Sequence, residues 1–239
     1  MLKEFVDRLV QLAAVEMIEV GGRTYSSKKL EGVFDPTPIP LGAHTLTGVK
    51  DYITEGIDPI LNENIMAHVI DHTQVKLIGT LNTKGFKERH TYLHADHDNP
   101  VFKFNQFYDV ESFIISLQSM FIQDDTTAQI LKIVGNLKQE QSVITRDDGV
   151  SQEVTARQGV SMVTQVQLPS PVTLRPYRTF REIEQPASTF ILRMKGNGNN
   201  QAPGIALFEA DGRMWELEAI ASIKEWLKDN ISKELVVIA

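Results

Sequence analysis

The chain has no cysteine, which excludes disulfides, thiolate metal sites and a cysteine nucleophile. No stretch approaches the roughly 20 apolar residues that a bilayer-spanning helix needs. The first residues, Met1 to Ile18, interleave Lys3, Glu4, Asp7 and Arg8 with apolar positions. They lack the unbroken apolar segment and the small-residue cleavage site of a signal peptide. A reducing cytoplasm, away from any membrane, is the expected setting. Basic charge is also short: 24 Lys and Arg face 31 Asp and Glu, a net charge of -7. Phosphate contacts dominate nucleic-acid affinity and call for a basic stripe. The basic residues here are scattered singly or in pairs, as at Lys28 and Lys29, so nucleic acid is not the expected partner. No Gly-x-Ser-x-Gly, His-Glu-x-x-His, Gly-x-Gly-x-x-Gly or phosphate-loop string occurs. Triad hydrolysis, zinc-protease chemistry and a Rossmann-type site are therefore unsupported. No internal repeat or low-complexity tract is present, and no cofactor is expected.

What is present is an average globular composition, with 42% hydrophobic and 23% charged residues, enough for a packed core. Apolar spacing predicts a helix over 2–17. A hairpin over 18–25 comes next, turning at Gly21-Gly22. The prolines of 35–42 impose an extended loop. That loop marks off an N-terminal arm, 1–42, from a main domain, 43–239, with one undivided domain as the alternative. Thr45 or Thr47 caps a helix running towards Gly56. One strand is predicted over 66–80 and its partner over 87–94, joined at Asn82 to Gly85. Asp109 opens a helix with Phe113, Leu117 and Phe121 on one face, and Asp124 and Asp125 cap a second, making an α-hairpin. From 141 to about 194 the residues turn β-branched and alternating, with Asp147-Asp148-Gly149 as a hairpin turn. A strand at 205–208, a helix over 214–229 and an edge strand or tail at 235–238 complete the chain. The fold class is α+β: a mainly antiparallel sheet with a central α-hairpin and terminal helices packed on it.

Four groups of residues could carry chemistry. His90, His94, Asp96 and His97 form the most metal-like set, since imidazole with carboxylate suits zinc, iron or manganese. On a strand His90 and His94 share a face but lie about 13 Å apart, too far for one ion. A polar turn ending a strand explains the same residues. His68 and His72, flanked by Asp71, raise the same ambiguity. The Asp124-Asp125 and Asp147-Asp148 pairs read as a helix cap and a turn before they read as acid–base groups. Arg175, Tyr177, Arg178, Phe180 and Arg181 form an arginine- and aromatic-rich segment, the composition of a protein–protein interface. The intervening Glu182 and Glu184 favour ion pairs over a phosphate track.

Several strings resemble an uncharacterised family of phage and prophage proteins common in Firmicutes. They include Thr45 to Ile53, Phe113 to Ser119, Asp147 to Gln152, Pro176 to Ser188 and Ala206 to Gly212. The resemblance covers roughly residues 15–230 and implies an origin without implying an activity. The expected function is a non-enzymatic phage accessory protein in the bacterial host cytoplasm. It would form a homo-oligomer or bind a protein partner. The alternatives are a metal-dependent hydrolase using the His/Asp set, and a nucleic-acid-handling protein using the arginines.

Overall fold

Short polar side chains fix where three of the helices begin. A computed structural model describes residues 2–27, 39–58, 65–81, 88–138, 142–147, 152–158, 162–196, 204–231 and 235–239. Helices α1 (Leu2–Ala13), α2 (Leu46–Thr54), α3 (Val110–Met120), α4 (Asp125–Lys138) and α5 (Met214–Asn230) lie among them. Thr45 caps α2, its hydroxyl accepting from the Gly48 N–H at 3.0 Å. Asp109 caps α3 through the Ser112 N–H at 2.9 Å. Asp124 caps α4 through the Thr127 N–H at 2.8 Å. Each bond satisfies one N–H that the first helical turn leaves without a partner. Among the described residues no helix is long and apolar enough to cross a membrane.

Contacts divide the chain into one unit of residues 1–37 and 82–88 and another of 38–81 and 89–239. In the first, α1 precedes a hairpin of β1 (Met17–Val20) and β2 (Arg23–Ser26). Gly21 and Gly22 both take positive φ, +60° and +75°, as a two-residue hairpin turn with right-handed twist requires. The helix expected over 2–17 stops at Ala13. The hairpin claims the last of those residues: Met17 pairs with Ser26, and Ser27 N–H donates to the Glu16 carbonyl at 2.9 Å.

Among the described residues the second unit holds three sheets. The largest runs in the order β14 (Val236–Ile238), β4 (Ile65–Val69), β5 (Gln74–Gly79), β6 (Thr91–Asp96), β3 (Leu41–Ala43). Its centre is antiparallel and both edge pairs are parallel. Val75 and Leu77 point inward from β5 and join Leu46, Val49, Ile223 and Leu227 of α2 and α5 in one core. Two expectations are corrected here. Residues 41 and 42 belong to this sheet, because β3 pairs with β6, so the arm does not extend to 42. The single strand of 66–80 is two, folded back at Asp71-His72-Thr73. The Asp71 carboxylate accepts from the Thr73 N–H at 2.7 Å and the Gln74 N–H at 3.0 Å, replacing ladder bonds with a side-chain turn.

The second sheet is β11 (Val172–Leu174), β12 (Ser188–Lys195), β13 (Gly204–Glu209), β7 (Tyr108–Asp109), antiparallel throughout. Strand β12 alternates strictly, burying Ser188, Phe190, Leu192 and Met194. Phe190 and Leu192 meet Phe113 and Leu117 of α3 and Ile130 and Val134 of α4 in a separate core. The α-hairpin is thus present and covers this sheet. The third sheet is a meander ordered β10 (Met162–Leu168), β9 (Gln152–Gln158), β8 (Ser142–Asp147). Buried Gln152 joins it to β12: its amide donates to the Met194 carbonyl and accepts from the Met194 N–H, both at 2.7 Å. The expected turn at Asn82 to Gly85, and Asp148 and Gly149 of the expected Asp147-Asp148-Gly149 turn, lie outside the described residues. The architecture is α+β with mixed sheets.

Two positions on α3 test this packing. Phe113 is fully buried, and Phe113→Ala should cost about 3–5 kcal/mol of unfolding free energy. Ile115, 55% exposed on the same helix, should change it by less than about 0.5 kcal/mol when cut to Ala. Urea melts of both variants check the pair, and equal losses would contradict the assigned faces.

Candidate functional site

The segment from Arg175 to Gln185 has little regular structure, and buried side chains hold it in shape. Gln185 is the clamp. Its carbonyl accepts from the Arg178 and Thr179 N–H groups at 3.0 and 3.3 Å, and its amide donates to the Phe180 carbonyl at 2.9 Å. Thr179 reaches across to the β4–β5 turn, its hydroxyl donating to the His72 carbonyl at 2.6 Å. Its own carbonyl accepts from the Asn99 amide at 2.6 Å, and the Asn99 oxygen accepts from Arg181 Nε at 2.7 Å.

Arg178 sits at the centre. Its side chain is only 9% exposed. Its guanidinium lies 3.6 Å from the ring centroid of Trp215 and 5.6–5.7 Å from those of Phe104 and Phe190. It donates to the Glu209 carboxylate at 2.8 Å and to the Ser188 hydroxyl. Burial lowers its pKa to about 10 against the raising pull of Glu209, Asp211 and Glu216. That is still far above neutrality, so the group is a cation. A cation over an aromatic face is held by the ring quadrupole, the more so when desolvated.

The interface expected over this segment loses Phe180 and the Arg178 side chain, which are buried, while Arg175, Tyr177 and Arg181 keep accessible surface. Phe180 is 1% exposed and packs in the core beside the His97 ring. Arg178 is buried against Glu209 and Ser188. Arg181 stays exposed while bonding Asn99, and Arg175, 41% exposed, pairs with Glu184 at 2.5 Å. Three arginines read as a partner surface or a phosphate track have intrachain partners. Tyr177 alone of the five presents a half-buried ring to a cavity.

That cavity, about 360 Å³, opens beside Arg178. Val101, Phe102, Phe104, Pro176, Tyr177 and Trp215 supply apolar and aromatic walls. His72, His97, Glu209, Arg213 and Glu216 supply polar groups. Arg213 and Glu216 approach to 2.5 Å as an ion pair, but their geometry is not that of an aligned hydrogen bond. Desolvation holds both imidazoles below their ordinary pKa of 6.5, and each is neutral at pH 7. For His72 this outweighs the raising effects of Glu216 and Asp71. For His97 the field of His72 adds to it, against Asp98, Asp71 and Asp96. His97 Nδ1 accepts from the Asn99 N–H at 3.2 Å, which places its proton on Nε2. His72 makes no ring hydrogen bond among the described residues, and its ring meets the edge of Trp215 at 4.6 Å.

The metal candidates disperse. His94 on β6 lies over Gly42 of β3, where a Cβ would stand 3.5 Å from its Nε2. The Asp96 carboxylate accepts from the Gln74 amide at 2.5 Å. His90 faces the Tyr92 ring, and His97 turns into the cavity. Among the described residues no three His, Asp or Glu side chains gather where they could hold an ion. His68 lies on β4 and His72 in the turn beyond it. Sequence reading missed Glu209, Arg213, Trp215 and Glu216, which reach the cavity from a distant stretch. Asp71-His72-Thr73 did carry a signal, the Asp-x-Thr of an Asx turn.

Two outcomes are expected from this electrostatic arrangement. Glu209→Gln leaves the buried Arg178 charge without its counter-charge and should destabilise the unit by about 1.5–3 kcal/mol in urea melts. The imidazoles set a pH dependence. A folded pKa below the unfolded 6.5 means the unfolded chain binds more protons as pH falls through 6.5, so stability drops there. Above pH 6.5 the histidine contribution is fully present. Asp71, whose pKa is lowered from 3.8, adds its loss only in the lower window below about 4. Urea midpoints should fall between pH 7 and 5, and His72→Gln should flatten the slope; an unchanged slope would contradict it.

Compared with protein-family models, curated proteins and solved structures, the chain matches none, and its function is read from its own geometry.

Proposed function

We propose that this chain is a non-enzymatic accessory protein that self-associates through its N-terminal unit. One observation carries the reading: ten large apolar side chains between Leu2 and Tyr25 are exposed, among them Phe5 at 62%, Val10 at 64% and Met17 at 60%. Isolated exposed apolar residues are ordinary, but a contiguous set marks an interaction surface. On α1, Leu2, Phe5, Val6, Leu9 and Val10 recur three and four apart, so they form one stripe. Hairpin β1–β2 adds Met17, Ile18, Val20 and Tyr25.

Charge argues for a second copy as the occupant. The polar positions of α1 include Lys3 and Arg8 against Glu4 and Asp7, which cancel. Two such helices meet without like-charge repulsion, although the chain carries -7 overall. An anionic membrane would call for a basic polar face. The strings that resemble phage and prophage proteins support a role in the bacterial cytoplasm.

Size exclusion with light scattering tests this. The wild type should run at twice 26.9 kDa or a higher multiple. Phe5→Asp with Leu9→Asp should return it to the monomer mass while the main melting transition stays in place. A wild type that remains at 26.9 kDa throughout a micromolar dilution series ends the proposal.

A further inference from the structure

We propose that the cavity beside Arg178 binds an uncharged planar heterocycle of the nucleobase class, as a free base or nucleoside. Size and lining come first. At about 360 Å³ the space falls at the small end of ligand sites, and such sites pair mostly apolar walls with a few placed polar groups. Half-buried Tyr177 lines the cavity and is the aromatic platform, with Phe104, whose ring stacks on Phe190 at 5.0 Å, as a wall beside it. Aromatic faces of this kind accept a flat π-system whichever base it is.

Charge comes second and narrows the class. Arg178 is matched by Glu209 and Arg213 by Glu216, and the imidazoles are neutral. A phosphate would find no cation without a carboxylate already beside it. A metal ion would find no ligand set of three His, Asp or Glu among the described residues. Carrying an ion into a partly desolvated site without a counter-charge is costly. A neutral ligand escapes that cost. The overall charge of -7 acts against a nucleic-acid polymer in the same direction.

The polar groups then ask for a ring bearing both donors and acceptors. His97 offers the Nε2–H, because its Nδ1 is taken by Asn99. His72 can donate or accept, its ring having no hydrogen-bond partner among the described residues. Glu209 gives one oxygen to Arg178 and keeps the other as an acceptor. The edges of a nucleobase carry N–H donors beside ring-nitrogen and carbonyl acceptors. A sugar would present hydroxyls on every side, poorly suited to walls of Val101, Phe102 and Phe104.

Isothermal titration on the full chain, in parallel with saturation-transfer NMR, tests the assignment. The probes are adenosine, guanosine, cytidine and uridine, with inorganic phosphate and glucose as comparators. At least one nucleoside should bind, its base protons receiving more saturation than its ribose protons. Tyr177→Ala should weaken that binding roughly 5- to 100-fold, the range for losing one stacked aromatic. His72→Phe should weaken it as well while keeping the ring against Trp215. Thermal melts of each variant confirm folding, and His97→Gln serves if either variant fails to fold. Four results overturn the proposal: no nucleoside binding at millimolar concentration, phosphate binding without nucleoside binding, glucose binding at least as tight, or nucleoside binding unmoved by the folded variants.

Discussion

A guanidinium taken out of water needs both a counter-charge and company for its remaining surface, and the second unit is arranged around meeting that need for Arg178. Glu209 on β13 supplies the charge and Ser188 on β12 a further acceptor. Trp215 of α5 and Phe104 supply the faces. These four groups come from three stretches of the chain, at Phe104, at Ser188 and at Glu209 to Trp215. Because the isolated ion is so costly to bury, each is held where it is. The arrangement joins α5, which packs on the largest sheet, to the second sheet and its α-hairpin. It also leaves space beside itself, since flat rings gathered around one cation do not fill the volume next to it.

Stitching by neutral side chains completes what the ion pair begins. Gln185, Asn99 and Thr179 are buried polar groups with their hydrogen bonds made. A buried amide left without partners would cost on the order of 1–3 kcal/mol, so each specifies one conformation of the loop that carries it. This explains how a segment with prolines at 176 and 186 and little regular structure delivers Tyr177 to a defined position. The same logic brings His72 to the cavity: Thr179 bonds its carbonyl, and Asp71 shapes the turn that presents it.

Much of this was legible in the sequence where the signal is local. Thr45, Asp109 and Asp124 announce helix starts through a side-chain oxygen three residues before the N–H it serves. The alternation of Phe190 and Leu192 announces a strand with one buried face. The α-hairpin is implied by two amphipathic stretches separated by only a few residues. The turn at Asp71 was hidden because Val69 and Val75 bracket it with apolar residues that continue a strand pattern. The cavity was hidden for a different reason. Arginine beside aromatics looks the same in sequence whether it faces a partner or its own Trp215, and only tertiary pairing with Glu209 separates the two. The histidine cluster misled by proximity along the chain. His94 and Asp96 share a face of β6 but engage different neighbours along it, Gly42 and Gln74, and the chain after β6 turns His97 into the cavity.

The two units distribute apolar surface in opposite ways, and that contrast carries the functional argument. In the second unit most large side chains fill two cores, and Arg178 is matched by Glu209 and Ser188 although its Nε and the Trp215 Nε1 have no hydrogen-bond partner among the described residues. In the first, the apolar side chains of α1 and its hairpin lie exposed on a helix of 12 residues and a two-stranded sheet. Neither element is stable alone in water: helices this short are marginal, and so are isolated hairpins. An amphipathic helix gains most of its stability from burying its apolar face, so burial by another molecule would stabilise the N-terminal unit and assemble the protein in one step. The second unit needs no such help to hold its shape, which leaves its cavity free to serve a ligand whether or not the chain is assembled.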